Sequence, residues 1–186
     1  MDIYNLIPEF VGLISNNQIE IYNEASIQYE LAIFLRQKLP NYKIQLERNI
    51  TFFGLNKNEF KKKEIDIVIF DKEKKEKLAI EIKFPTNGQY PEQMFSFVKD
   101  IKFLEELKEK RFETRLVIAF ANDQNFWNPK GKEGTIYYFF RKIGKLYGEI
   151  QKPTGKKDET VSLKNSYEIY WENIPQDNLK YFIVKV

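Results

Sequence analysis

The sequence predicts an α/β fold in which helices cover a central mixed β-sheet. Three observations predict it. Segments of helical and strand periodicity follow in the order α-α-β-β-β-α-β, a short charged turn joins two neighbouring strands, and a later strand is apolar on both faces. The length of 186 residues fits one domain, so we expect residues 1–186 to share one core.

Two helices open the chain. Residues 2–14 carry apolar side chains at helical spacing, and Pro8 falls in the first turns, where proline is tolerated. Residues 18–39 predict a longer helix that ends at Pro40. The apolar stripe of this second helix consists of Ile27, Leu31, Phe34 and Leu35.

Three strands follow the helices. Residues 42–53 alternate between polar and apolar side chains as a strand does, and residues 54–63 are a polar loop. Residues 64–70 and 77–84 are two more strands. The charged segment 71–76 between them is short, so the pair is predicted to form a hairpin.

The second half of the chain begins with a helix over residues 91–110 and a fully buried strand over residues 115–121. The sequence pattern assigns no role to the C-terminal part, residues 121–186. The expectations for this part are a helix or a strand over 136–147, a polar loop over 152–160, and final strands over 166–172 and 180–186.

The composition narrows the chemistry. The chain has no cysteine and no histidine, which excludes disulfides, Ser-His-Asp catalysis and histidine-ligated zinc or iron. Carboxylates and lysines remain, and carboxylates suit a hard cation such as Mg²⁺ or Mn²⁺. The net charge of +3 permits a local basic face without requiring nucleic acid.

The sequence also bears on location. No segment approaches the roughly 20 apolar residues that cross a bilayer, so no membrane partner is expected. The first five residues lack the basic run of a secretory signal. Together with the absence of cysteine, this pattern favours a cytoplasmic location.

The predicted hairpin places two acids together. If Phe70 and Lys77 close the turn, Asp66 lies opposite Glu81, with Cβ atoms about 4.5–5.5 Å apart. Like charges at such positions repel each other. A divalent cation between the two carboxylates would remove the conflict, and Lys83 on the same face could stabilise a metal-bound hydroxide or charge on a phosphate.

These residues resemble a known motif. Asp66, fourteen intervening residues and then Glu81-Ile82-Lys83 on a hairpin are similar to the PD-(D/E)xK nuclease superfamily. The resemblance implies a restriction-endonuclease-like α/β/α sandwich and an Mg²⁺- or Mn²⁺-dependent nuclease. Asp66 and Glu81 would be metal ligands and Lys83 the catalytic lysine. Ile65 replaces the proline of the motif, which the superfamily tolerates.

An alternative without catalysis stays open for this hairpin. Glu-x-Lys recurs at Glu73 and Glu106, where a charged turn and a helix predict ordinary solvated side chains. The hairpin itself could lie at the surface with a Glu64–Lys83 salt bridge.

The resemblance implies a further acid from the first helix of the motif region. Glu24 lies about 20° from Leu31, at the centre of the apolar stripe, whereas Glu30 lies about 100° away. We therefore prefer Glu24 as a third metal ligand, with Gln28 one turn on. The alternative is a first-turn glutamate that the helix dipole favours.

Three other polar residues are candidates for accessory roles. By resemblance, Gln93 could contact the metal-bound water or the nucleic acid, but an ordinary polar residue in a first helical turn is an equal alternative. Asp100 has the same ambiguity. Glu47 shares the parity of Lys43 and Gln45, and we expect its side chain to be exposed.

Two basic segments could hold phosphates, although each could also be an ordinary solvated face. Lys and Arg with neighbouring aromatics suit a nucleic-acid backbone and unstacked bases. The candidates are Lys61, Lys62 and Lys63 before the Asp66 strand, and Arg141, Lys142 and Lys145 among tyrosines and a phenylalanine.

By resemblance the substrate is DNA, with double-stranded DNA preferred, and a homodimer is expected where both strands are cut. Two other functions stay open. One is a catalytically silent nucleic-acid- or protein-binding domain of the same fold, and the other is a small interaction protein that matches the motif by chance.

Overall fold

A central β-sheet organises the protein. The computed structural model describes residues 3–86, 88–155, 159–175 and 178–186. The strands in these ranges are β1 (Lys43–Asn49), β2 (Glu64–Phe70), β3 (Lys77–Lys83), β4 (Thr114–Ala121), β5 (Lys145–Gln151), β6 (Thr160–Glu168), β7 (Glu172–Asn173) and β8 (Lys180–Lys185). Six of them form one sheet in the order β1-β2-β3-β4-β8-β7, and β5 pairs with β6 in a separate two-stranded sheet.

The six-stranded sheet is mixed, as the sequence predicts. Strands β3 and β4 are parallel, and the other neighbours in the sheet are antiparallel. A parallel pair requires a crossover connection, and a long helix between β3 and β4 provides it. The protein is therefore a mixed α/β fold.

Three α-helices accompany the sheet in the described part of the chain, and none of them is long and apolar enough to cross a membrane. They are α1 (Ile7–Ser15), α2 (Glu24–Lys38) and α3 (Tyr90–Lys108). A 3₁₀ turn precedes α1, and Asp2 of the predicted first helix lies outside the described residues.

The predicted start of the second helix at residue 18 is wrong. Helix α2 begins at Glu24 because Asn23 caps it: the Ser26 amide donates to Asn23 Oδ1 at 2.8 Å, and the Asn23 amide donates to Ser26 Oγ at 3.1 Å. This reciprocal capping satisfies backbone groups that the helix start leaves open. Helix α3 ends two residues earlier than predicted, at Lys108.

The first strands agree with the sequence and the later ones only in part. Strand β2 has the predicted bounds, and β1 is shorter because residues 50–53 form a 3₁₀ turn. The ambiguous segment 136–147 contains both a π-helical turn, Tyr138–Ile143, and the start of β5. The predicted strand over 166–172 is wrong, since β6 runs from Thr160 to Glu168, while the final strand is confirmed.

Two apolar layers flank the sheet. Side chains such as Ile67, Ile80 and Ile118 face α1 and α2, and their sequence neighbours Val68 and Ala79 face α3. The β5–β6 pair packs on the same side as α3. The period-two pattern of the strands therefore buries both faces, and Asp66 and Glu81 share the parity of the α3 side.

A buried carboxylate fastens the β5–β6 pair to α3. Glu105 on α3 is 3% exposed, and its Oε1 accepts from the Lys164 amide at 2.8 Å, the Asn165 amide at 3.1 Å and the Tyr167 hydroxyl at 2.9 Å. These bonds satisfy backbone groups of β6 that β5 does not reach, so the position of β6 depends on Glu105.

We expect Glu105→Ala to lower the free energy of unfolding by about 3 kcal/mol or more, because hydrogen bonds to charged groups contribute about 1.5–3 kcal/mol each. Thermal unfolding measures the loss, and limited proteolysis should then cut first within residues 145–168. Glu109→Ala is the control, since the Glu109 side chain is exposed and forms a surface ion pair with Lys164. Equal melting temperatures for the two variants would contradict this role of Glu105.

Candidate functional site

The hairpin has the register that the sequence predicts. Phe70 pairs with Lys77 and Ile67 with Ile80, so Asp66 and Glu81 lie next to each other just beyond the last pair. Asp66 is 5% exposed and Glu81 is fully buried. Two carboxylates therefore stand side by side beneath α3, which is unfavourable without a positive charge nearby.

The positive charge in the structure is Lys62. Its Nζ lies 3.0 Å from Asp66 Oδ1 and 3.3 Å from Asp100 Oδ1, and it also contacts Glu81 Oε2. The loop before β2 thus inserts an ammonium group among three carboxylates, which we call the acid cluster: Asp66, Glu81 and Asp100. The expected phosphate-binding residue Lys62 points inward to this cluster.

Lys83 lies on the other side of Asp100. Its Nζ is 3.1 Å from Asp100 Oδ2 and 3.7 Å from Glu24 Oε1, and its side chain is only 13% exposed. Glu64 is exposed. The alternative of a surface hairpin with a Glu64–Lys83 salt bridge is therefore wrong, because Lys83 turns beneath α3 to reach acids from α2 and α3.

Burial and mutual repulsion shape the proton equilibria. Burial, followed by the neighbouring Asp66 and Asp100, raises the pKa of Glu81 well above its usual value. Burial alone would lower the pKa of Lys62 and Lys83, but the carboxylates around each lysine outweigh it and raise the pKa. Both lysines are consequently ammonium ions at neutral pH.

Glu24, the preferred acid of the helix, lies near the end of β3. Burial raises the pKa of Glu24, and its Oε1 accepts from the Phe84 amide at 3.4 Å, at the end of β3. Glu24 also shares a small depression of about 340 Å³ with Gln93. Helix α2 thus carries Glu24 to the margin of the acid cluster, with Gln93 beside it.

Gln28 and Glu47, two other accessory candidates, contact each other. Gln28 is buried, and its Nε2 donates to Glu47 Oε1 on β1 at 2.7 Å. The Glu47 residue is exposed, as expected. Gln28 therefore links α2 to β1.

The two basic segments are not brought together as one surface. Lys61 and Lys63 are exposed beside the acid cluster, and Lys61 lies 3.6 Å from Glu159. Arg141 instead stacks on the Tyr137 ring at 3.8 Å, and the remaining two candidates, Lys142 and Lys145, line a shallow depression next to β6.

The donor set fits a hard divalent cation. Carboxylate oxygens are the ligands that Mg²⁺ and Mn²⁺ prefer. Among the described residues, Glu81 Oε1 is buried without a hydrogen-bond partner, as such a ligand would be before it binds a metal. With Lys62 among them, however, no three acids of the described chain form a ready-made metal-binding group. A metal would need to replace the Lys62 ammonium.

Sequence reasoning named Lys62 and Asp100 as candidates but did not bring them together at the site. Asp100 carries the signal that singled out Glu24, an acid on the inward stripe of a helix, between Phe97 and Leu104. Lys62 stood out only as part of a lysine run. Its contact with Asp66 depends on the path of the loop, which periodicity does not describe.

Comparison with known proteins adds no relative. No protein-family model matches the chain, and neither a curated protein nor a solved structure gives a significant match. Any functional conclusion therefore depends on the residues of the site.

Proposed function

We propose that the protein is a nuclease that uses Mg²⁺ or Mn²⁺ and has a restriction-endonuclease-like α/β/α sandwich of the PD-(D/E)xK kind. The observation that supports it most is the acid cluster with Lys83: three buried carboxylates from β2, β3 and α3 and a partly buried lysine at one end of the hairpin. Burying a charged group costs free energy, even where an ion pair offsets part of the cost. Proteins often keep such groups where function requires them, which makes this cluster a candidate active site.

Asp66 and Glu81 supply carboxylate oxygens to the metal in this proposal, and Glu24 supplies a third acid from the margin. A metal held by these residues would polarise the scissile phosphate and lower the pKa of a water. Asp100 holds Lys83 at 3.1 Å. Lys83, as an ammonium ion, stabilises negative charge that develops on the phosphate oxygens.

DNA is the proposed substrate and partner, because the resemblance of Asp66, Glu81 and Lys83 is to enzymes that cleave it. Lys61 and Lys63 are exposed next to the cluster, and in this proposal they contact phosphates of the bound strand.

A catalytically silent binding domain is the second candidate, and Lys62 is the observation that favours it. Its ammonium already neutralises part of the acid cluster, as in a purely structural network of ion pairs. The nuclease proposal predicts that metal binding and cleavage depend on the acid cluster and Lys83, whereas the silent domain predicts no cleavage.

The test is cleavage of plasmid, linear duplex and single-stranded DNA with Mg²⁺ or Mn²⁺. We expect Lys83→Ala to slow cleavage about 10²–10³-fold, the typical effect of removing one group that stabilises transition-state charge. Lys108→Ala is the matched control, since Lys108 is an exposed lysine at the end of α3. Cleavage that is equal in both variants would point to a contaminant, and none in the wild type would favour the silent domain.

A further inference from the structure

A cavity opens beside the acid cluster. It has a volume of about 600 Å³ and lies between α3 and the start of β6. Lys62, Lys83 and Asp100 belong both to its lining and to the candidate site. A ligand in the cavity would therefore reach Lys83, whereas the carboxylates of Asp66 and Glu81 are otherwise buried.

The lining is basic with an apolar part. Among the described residues it contains five lysines and three acids, together with the side chains of Ser96, Phe103, Thr160, Val161 and Ser162. Lysines recognise phosphates, and an apolar surface suits the face of a nucleobase. Anionic and apolar parts occur together in a nucleotide unit of a nucleic-acid strand.

The walls of the cavity are fixed, but its edge can open. Glu105 bonds the Lys164 amide and thereby fixes β6 to α3. Lys61 and Glu159, which both line the cavity, form an ion pair at 3.6 Å in which the Lys61 side chain is 80% exposed. Exposed ion pairs contribute little, so this pair can separate without loss of the fold.

We propose that this cavity takes one unpaired strand of nucleic acid, so that the site acts on single-stranded stretches or ends and not on an intact duplex. The volume of about 600 Å³ is in the range of small-ligand pockets, roughly 300–1,000 Å³. A cavity of that volume can enclose small-ligand-sized units of one strand and not the two paired strands of a duplex.

Lys99 and Lys102 contact the phosphates of this strand, and a base lies against the apolar part of the lining. Lys99 and Lys102 lie one turn apart on α3 and both line the cavity. The proposal deepens the proposed nuclease function and rests on it for the reaction, but the binding of a strand can be measured without cleavage.

The experiment is fluorescence anisotropy with a labelled single-stranded DNA, the RNA of the same sequence and the corresponding DNA duplex. EDTA is present, so no metal-dependent cleavage occurs. The wild type is compared with the double variant Lys99→Gln/Lys102→Gln and with Lys108→Gln, which changes an exposed lysine of the same helix outside the cavity. Thermal unfolding checks that each variant is folded.

We expect the wild type to bind a single strand at least about tenfold more tightly than the duplex, and the double variant to lose about tenfold. The slope of log affinity against log salt should fall by about 1.4 in the double variant, since each phosphate contact on a single strand contributes about 0.7. Comparing the affinities for the single-stranded DNA and for the RNA shows which kind of strand the cavity prefers.

Equal affinity for duplex and single strand, or equal affinity in the double variant and Lys108→Gln, would overturn the proposal. Failure of the nuclease proposal would look different: the single strand would bind through Lys99 and Lys102, but no cleavage would follow when metal is added.

Discussion

Glu81→Gln is expected to reduce metal-dependent cleavage about a thousandfold. Glu81 is fully buried, and its Oε1 has no hydrogen-bond partner among the described residues. A glutamine keeps the shape and can still accept a hydrogen bond from Lys62, but it lacks the charge that a divalent cation requires. Loss of about 4 kcal/mol of transition-state stabilisation by the metal corresponds to a thousandfold in rate.

The measurement is the cleavage rate under single-turnover conditions across a range of Mn²⁺ concentrations. Glu109→Gln is the control because Glu109 is exposed at the end of α3 and pairs with Lys164, outside the acid cluster. A Glu81→Gln variant that cleaves at the wild-type rate would remove Glu81 from the active site and, with it, the reason to regard the hairpin as catalytic.

Lys62→Met is expected to destabilise the metal-free protein and to strengthen metal binding. The change leaves the acid cluster without its inner cation, which costs about 3 kcal/mol, the low end for breaking a buried ion pair, because the Lys62 side chain keeps 30% exposure. For a chain of this length, about 3 kcal/mol corresponds to a fall in Tm of about 6–12 °C. Lys63→Met, at an exposed neighbouring residue, should change Tm little.

Added Mn²⁺ distinguishes a metal site from a structural network in this variant. A metal that takes the place of the ammonium stabilises the folded state by mass action. We therefore expect the rise in Tm on Mn²⁺ addition to be larger in Lys62→Met than in the wild type. A Lys62→Met variant that melts early and does not respond to Mn²⁺ would show that Lys62 completes a network with no place for a metal.

The hairpin could be predicted because its geometry is local. Two apolar strands with a short charged turn allow one register, and that register brings Asp66 next to Glu81. The requirement for a positive charge between them followed from the repulsion of like charges. What could not follow was the identity of that charge in the structure, because Lys62 reaches the cluster through a loop.

The C-terminal part shows a different limit. Val161 and Leu163 are buried on alternate positions of β6, so a strand signal is present, but the sequence pattern predicts the strand over 166–172 and not from Thr160. Strand β6 holds its position through Glu105 on α3, a contact between residues about sixty positions apart. Such a tertiary contact outweighs local preference.

Saturable Mn²⁺ binding is the most direct test of the central claim that the acid cluster is a metal site. Isothermal titration calorimetry of Mn²⁺ into the wild type and into Asp66→Asn compares two proteins that differ by one carboxylate. The Asp66 carboxylate is held in place because its Oδ2 accepts a hydrogen bond from the Ile82 amide at 2.8 Å. We predict saturable binding by the wild type and its loss in Asp66→Asn, with both proteins folded. No saturable binding by the wild type, or equal binding by both, would contradict the claim.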